Sequence, residues 1–342
     1  MRLLILMFAL LGLAACEDKA VILTLSGETM GTTYNITAVD PGGEIDSAAL
    51  AAAVDATLAA VNAAMSNWDP NSEVSRFNAQ QSAEAFAISG EFAAVMVVAN
   101  DVHLASGGLF DVTLGPLIEL WGFGARTPES PVPSTAAITQ ARGSVGQDRL
   151  LSLSMDPPSL TKSRPETQVY LAAIAKGHGA DRVAATLESF GLKDYLVEIG
   201  GDLVTSGLSP DGTKWRIGVE RPDAVSGTVE EIVETSGLGF ATSGDYRNYF
   251  EVDGERFSHI IDARTGRPIT HTTASVTVLA ESAMLADAWA TALLALGEER
   301  GLALSEKRDL AVLFISRDSG LGTDGFRVTK SSRFEALGAE DS

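Results

Sequence analysis

The chain runs to 342 residues, of which 45% are hydrophobic, and 45 Asp and Glu against 25 Lys and Arg give it a formal charge of −20. That much apolar material allows a sizeable core, in one large domain or two closely joined lobes, and argues against intrinsic disorder. A pI near 4.5 argues against sequence-independent binding to nucleic acid, which depends on clustered Lys and Arg neutralising phosphates; the acidic surface reads as a source of solubility.

In chain order, residues 1–15 (MRLLILMFALLGLAA) combine one basic residue, an apolar stretch and small residues before Cys16. That is the shape of a secretory signal, too short for a convincing membrane span. Cys16 is the only cysteine, and Leu13-Ala14-Ala15-Cys16 resembles a bacterial lipobox, in which the cysteine is acylated and becomes the new N-terminus. The expectation is an exported protein on the periplasmic side, held to a bacterial membrane by lipid on Cys16, with residues 16–26 as lipidated end and tether. A plain cleaved signal with an incidental cysteine is the alternative, and a lone cysteine forms no intramolecular disulfide in either case.

Val21 to Leu25 and Thr32 to Val39 read as two strands around the turn Gly27 to Gly31. Asp46 or Ser47 is placed to cap a helix running to about Met65, because Leu50, Val54, Leu58 and Val61 recur at helical spacing. A loop at Ser66 to Pro70 ends it. A second helix is expected from Glu91 to Ala105, stopping at Gly107-Gly108, followed by a strand-like stretch from Phe110 to Leu114 that turns at Gly115-Pro116.

Pro128, Pro131 and Pro133 make a proline-rich surface loop, Asp156-Pro157-Pro158 marks another break, and a lobe boundary is expected between them. Ala173 to Phe190 is helical in pattern, and the C-terminal half of the chain beyond it alternates β-rich stretches with one strong helix, Ser282 to Leu296. Asp253-Gly254, inside the run Glu251 to Phe257, supplies the positive φ angles of a type I′ hairpin. Hairpin-linked strands with irregularly interspersed helices predict an α+β fold with mixed, largely antiparallel sheets.

The chain has no Walker A loop and no GxGxxG opening a helix after a strand, which disfavours a conventional kinase or Rossmann enzyme. On the expected helix around Met284 to Thr291, Asp287 and Thr291 stand four residues apart and share a face. A carboxylate beside a hydroxyl suits Mg²⁺, which keeps several waters and is completed by substrate phosphate oxygens; the same spacing also fits a capping or solvated pair. His259 opens the turn His259-Ile260-Ile261-Asp262-Ala263-Arg264-Thr265-Gly266-Arg267-Pro268. A histidine there is a chemically reasonable general base, or is satisfied by the turn backbone.

Seven blocks, in order, resemble the ApbE family. They are Glu28 to Tyr34; Met65-Ser66 with Ser75 to Asn78; Phe110 to Thr113 with Gly115 to Leu117; Ala173 to Gly177; Ser243 to Asn248; the His259 turn; and Ala286-Asp287 with Thr291. The resemblance implies a two-lobed ApbE-like domain over residues 27–336, followed by a C-terminal tail at 337–342. It also implies an activity: FAD, as donor substrate, is bound with Mg²⁺ at its pyrophosphate, and the FMN half passes to a Thr or Ser hydroxyl of an acceptor flavoprotein subunit, releasing AMP.

Carried onto matching positions, Asp287 and Thr291 resemble the metal ligands, joined by the backbone carbonyl of Ala173. Met30, Trp68, Leu109, Phe110, Asp111, Lys176 and Ile261 would line the FAD site, and His259 would take the acceptor proton. Rings and thioether suit flat ligands, and Lys176 brings positive charge to phosphates. The sequence departs from common family residues at Tyr170 (often Asp), His178 (often Tyr), Ala263 (often Pro) and Ala290 (an additional Asp in some members). A non-catalytic FAD-carrying lipoprotein and a Mg²⁺-dependent FAD pyrophosphatase are the competing readings.

Overall fold

The computed structural model describes residues 20–124, 132–223, 227–322 and 325–339. The signal-like stretch, Cys16, Pro128, Pro131 and the last residues of the expected tail lie outside the described residues. Helix α1 (Ser47–Met65) begins where Asp46 accepts hydrogen bonds from the N–H groups of Ala48 and Ala49, which satisfies donors left free in a first turn. By length and composition α1 is apolar enough to cross a bilayer, but Leu50, Val54, Leu58 and Val61 are buried inside the protein, as their spacing predicts. Ser72 caps the short α2 (Glu73–Ala79), and Ser89 caps α3 (Gly90–Ala105).

The frame is an eight-stranded sheet in which every pairing is antiparallel: Val21–Thr29, Thr32–Asp40, Asp194–Ile199, Asp202–Ser206, Gly239–Gly244, Thr273–Ala280, Ala311–Arg317 and Phe326–Lys330, lying in that order. Side chains alternate across it and both faces are covered, so the central strands are apolar almost throughout. Val276, Val278, Val312 and Phe314 face the main core together with α3 and α8 (Ala283–Leu296). Their neighbours Leu279, Leu313 and Ile315 face the opposite core, under the hairpin Trp215–Glu220/Val229–Thr235 and α10 (Ser332–Ala339). Farther along the sheet, α1 and α7 (Ala175–Ser189) cover Tyr34, Ile36 and Val197.

A smaller apolar cluster sits beside this frame. Leu117 and Trp121 of α4 and its C-cap (Gly115–Leu120), Ile138 of α5 (Thr135–Arg142), Val145 and Ile261 are buried together, with Phe250 and Phe257 against them. Trp121 stacks on Phe257 at 5.5 Å, and its indole N–H donates to the Gly266 carbonyl (2.8 Å), so the cluster clamps the His259 turn from behind. The α+β architecture with antiparallel sheets agrees with the sequence expectation. The Asp253-Gly254 hairpin turn also forms, with φ of 52° and 80°.

Three local expectations need correction. Phe110 to Leu114 forms no strand: the Asp111 carboxylate accepts from the Thr113 amide (2.7 Å) and hydroxyl (2.5 Å), which bends the chain into a turn ahead of α4. The stretch after Pro133 carries α5 and α6 (Gln147–Leu150), and its Leu151 and Leu153 pack on the main core, so it belongs to the packed body. A second C-terminal helix, α9 (Glu298–Arg308), follows α8 directly. Only Gly301 and Ser305 of α9 are buried, which leaves almost no apolar periodicity to read.

Candidate active site

Helix α8 carries Asp287 and Thr291 one turn apart on one face, and both line a cavity of about 310 Å³ with Ala173, Lys176, His259 and Ile261. These residues come from segments spread over more than a hundred positions. Helices α7 and α8 meet at their first turns: a Cβ on Gly177 would stand 2.2 Å from the Ala283 carbonyl oxygen, so only glycine permits the approach. Across that contact the Gly177 amide donates to Asp287 (3.2 Å), while Asp181 of α7 accepts from the amides of Ala283 (2.8 Å) and Met284 (2.9 Å). Each helix thus holds a carboxylate at the N-terminus of the other, where the helix dipole favours negative charge.

Charge is concentrated here. Asp287 and Asp202 are both buried, and Lys176 forms an ion pair with Asp202. Burial pushes the Asp202 carboxyl well above the usual range, and the negative charge of Asp287 adds to that, against the opposing pull of Lys176. Burial alone would lower the Lys176 ammonium, but Asp202, Asp287 and Glu198 outweigh it and hold the lysine firmly charged. Lys176 thus faces two buried carboxyl groups, those of Asp202 and Asp287.

Among the described residues no three His, Cys, Asp or Glu side chains cluster as a metal site. Asp287, Thr291 and Ala173, the donors the resemblance implies, all line the cavity and offer one carboxylate, one hydroxyl and one backbone carbonyl. All are hard oxygens, of the kind that suits Mg²⁺ with its retained waters. The Thr291 hydroxyl shares a 3.1 Å hydrogen bond with Ser243, a neighbour on the cavity wall.

His259 is held by the carbonyl of Asn248, which accepts from the His259 backbone amide (3.0 Å) and from Nδ1 (3.1 Å). A carbonyl only accepts, so Nδ1 carries the proton and Nε2 of the neutral ring keeps a free lone pair. Burial lowers the His259 pKa from the ordinary histidine value, partly offset by the Asn248 carbonyl and the charge of Asp245. Asp245 is buried and paired with Arg317 through both guanidinium nitrogens (2.8 and 2.6 Å), which anchors the Ser243 to Asn248 segment.

Leu109, Phe110 and Asp111 also line the cavity. Asp111 is committed to the backbone, because its second oxygen accepts from the Gln147 amide (3.1 Å), and burial raises its pKa. Trp68 lies in an adjoining cavity of about 520 Å³ that shares Ile118 and Tyr170 with the first, and it is 70% exposed. Met30 lines neither cavity; it occupies a positive-φ turn position (53°), and its sulfur approaches Gly179.

Among the departures from common family residues, Tyr170 borders both cavities, Ala290 is wholly buried in the main core, and Ala263 packs on the Trp121 cluster. His178 is buried with no hydrogen-bond partner on Nε2. Ser243 opens one of the family-like blocks, but sequence reasoning gave no role to it, to Asp202 or to Asp181. Asp202 follows Gly200-Gly201 just inside a strand and Asp181 sits mid-helix, each with no motif around it.

An antiparallel α+β frame, with hard oxygen donors, a lysine and a free imidazole nitrogen brought into one cavity, defines the class of this protein as an α+β enzyme. The chain belongs to the ApbE family, whose model matches residues 30–314. The FAD:protein FMN transferase of Vibrio cholerae serotype O1 is 44% identical over 332 residues, covering 97% of each chain. That of Haemophilus influenzae is 40% identical over 326 residues, covering 94% of this chain and 93% of the relative. Among solved structures, the flavin transferase ApbE from Vibrio cholerae matches with a TM-score of 0.85 at 43% identity, over 93% of this chain and 99% of that one. The apo form of the Pseudomonas stutzeri flavinyl transferase ApbE gives 0.83 at 38% identity, over 93% and 97%.

Proposed function

We propose that this chain transfers FMN from FAD to a Thr or Ser hydroxyl of a partner redox protein, forming a phosphoester and releasing AMP. The observation that carries the reading is the single cavity lined by His259, Lys176, Asp287, Thr291 and Ala173. The acceptor oxygen attacks the FMN-side phosphorus, the bond from that phosphorus to the bridging oxygen breaks, and AMP keeps the bridging oxygen. The hydroxyl proton passes to Nε2 of His259. Lys176 faces the phosphates with positive charge. Asp287, Thr291 and the Ala173 carbonyl would hold Mg²⁺, which supplies neutralisation of the charge that builds on the pyrophosphate.

Leu109, Phe110 and Ile261 form the apolar wall for the flavin half, and Trp68 and Met30 are the remaining positions proposed for FAD contact. Residues 1–15 and Cys16 support export and lipid anchoring on the periplasmic side of a bacterial membrane, next to membrane-bound acceptors, and residues 27–336 act as one catalytic domain. The test incubates purified protein with FAD, Mg²⁺ and a candidate acceptor fragment, and looks by mass spectrometry for FMN on one Thr or Ser. Free FMN alone would replace this reading by a pyrophosphatase, and unchanged FAD by a carrier.

A further inference from the structure

The His259 turn has a second side. His259 and Ile261 line the catalytic cavity, while the continuation of the turn through residues 262–268 is flanked by two other cavities, of about 450 and 390 Å³. Arg142, Arg149 and Arg264 rim the first, and Arg264, Arg267 and Arg300 rim the second. Arg264 is common to both, so five exposed arginines form a continuous band on a chain whose formal charge is −20. The first of these cavities shares Asp111 with the catalytic cavity, which places the band against the site.

Little of this charge is neutralised locally. Asp262 is engaged by Arg264 through three hydrogen bonds, and Asp148 lies 4.0 Å from Arg149 and 3.6 Å from His103. Asp111 is occupied by Thr113 and Gln147. Among the described residues, Arg142, Arg267 and Arg300 have no carboxylate partner. Two of them are nevertheless positioned: the Arg267 guanidinium donates to the Thr135 hydroxyl (3.0 Å), and the methylenes of Arg142 lie over Gly266, where a Cβ would meet them at 2.8 Å. Uncompensated guanidinium groups, held in place and set in an otherwise repulsive field, steer and orient an anionic partner.

We propose that this arginine band docks an acidic segment of the acceptor protein beside its target hydroxyl; the acceptor role rests on the transferase reading. The net negative charge of the chain disfavours an acidic partner on average, so the band sets the direction from which the hydroxyl enters. The occupant is a carboxylate-rich peptide, because guanidinium forks match carboxylates and the net charge of the chain disfavours a nucleic acid.

The test is binding of a fluorescent peptide with a central Thr flanked by Glu residues, read by anisotropy without FAD. The peptide should bind the unaltered protein, lose affinity between about 0.05 and about 0.5 M NaCl, and bind at least about ten-fold more weakly with Gln in place of Glu. The double variant Arg142→Glu/Arg267→Glu should also weaken it by about ten-fold or more, Arg142→Gln/Arg267→Gln by less, and Arg216→Glu on the distant hairpin not at all. Melting curves check that each variant is folded. Equal binding of the Gln peptide, no effect of the double reversal, or equal binding of an oligothymidylate of the same charge would overturn the proposal. Absence of FMN transfer by the unaltered protein would sink the transferase reading instead, and shows in a separate assay.

Discussion

The Gly177 amide of α7 donates a 3.2 Å hydrogen bond to Asp287 of α8, so the proposed metal ligand is aimed by the neighbouring helix as well as by its own. Gly177 is essential to that contact because its missing side chain lets the two first turns touch. Gly177→Ala should push the helices apart, cost about 1–3 kcal/mol by overpacking and raise the Mg²⁺ concentration needed for transfer. Thermal melts and a Mg²⁺ titration of the transfer rate check both effects; an unchanged Mg²⁺ dependence would uncouple the crossing from the metal site.

Asp287→Ala removes the only carboxylate of the proposed donor set. Transfer at ordinary Mg²⁺ should fall by about a hundred-fold or more, and Thr291→Ala should fall less, because one hydroxyl is a weaker ligand than a carboxylate. Mass-spectrometric detection of flavinylated acceptor over time provides the measurement. Full activity in Asp287→Ala would place the metal elsewhere.

Burial lowers the His259 pKa below the ordinary histidine value, with Nδ1–H on the Asn248 carbonyl. Its base form therefore persists below the usual histidine range, and the acid limb of the rate profile should fall at a pH lower than that of a free imidazole. His259→Ala should still bind FAD, transfer on the order of 10²–10⁴-fold more slowly and lose that limb. A limb that survives in the variant would belong to another group.

Asp181 provides a pH dependence of stability. Burial raises its pKa to about 6, against the hydrogen bonds from Met284 and Ala283 and with reinforcement from Asp287. Its value in the unfolded chain is the ordinary 3.8, so between roughly pH 4 and 6 the folded protein binds more protons than the unfolded one. The stability linked to this group is therefore present at low pH and lost as pH rises through about 6, by up to about 3 kcal/mol. Calorimetric melts at several pH values should show Asp181→Asn with a flatter dependence in that window than the unaltered protein. Parallel curves would assign the dependence to other carboxylates.

Much of the fold was legible in the chain. Apolar residues at helical spacing and a capping Asp46 marked α1, the extents expected for α3 and α8 matched those formed to within a residue, and Asp253-Gly254 announced its hairpin. These signals are local: the periodicity that buries a helix face, and the side-chain oxygen that satisfies a first turn, are written within a few residues. The order of the blocks along the sequence pointed to the ApbE family before any packing was known.

Tertiary structure decided what local signals do not encode. It turned the apparent strand at Phe110 into an Asp111-stabilised turn, and it kept Met30 off the cavity wall while leaving Trp68 exposed beside it. It also set Asp202 and Asp181 next to Asp287, although 85 and 106 positions separate each from it in the sequence. The sequence by itself determined the elements and the residue types available for chemistry. Which carboxylates share a buried space, and how far their proton affinities shift, depends on long-range antiparallel pairing and a glycine-permitted helix crossing. Electrostatic energies depend on distance and burial, and only the folded chain defines either.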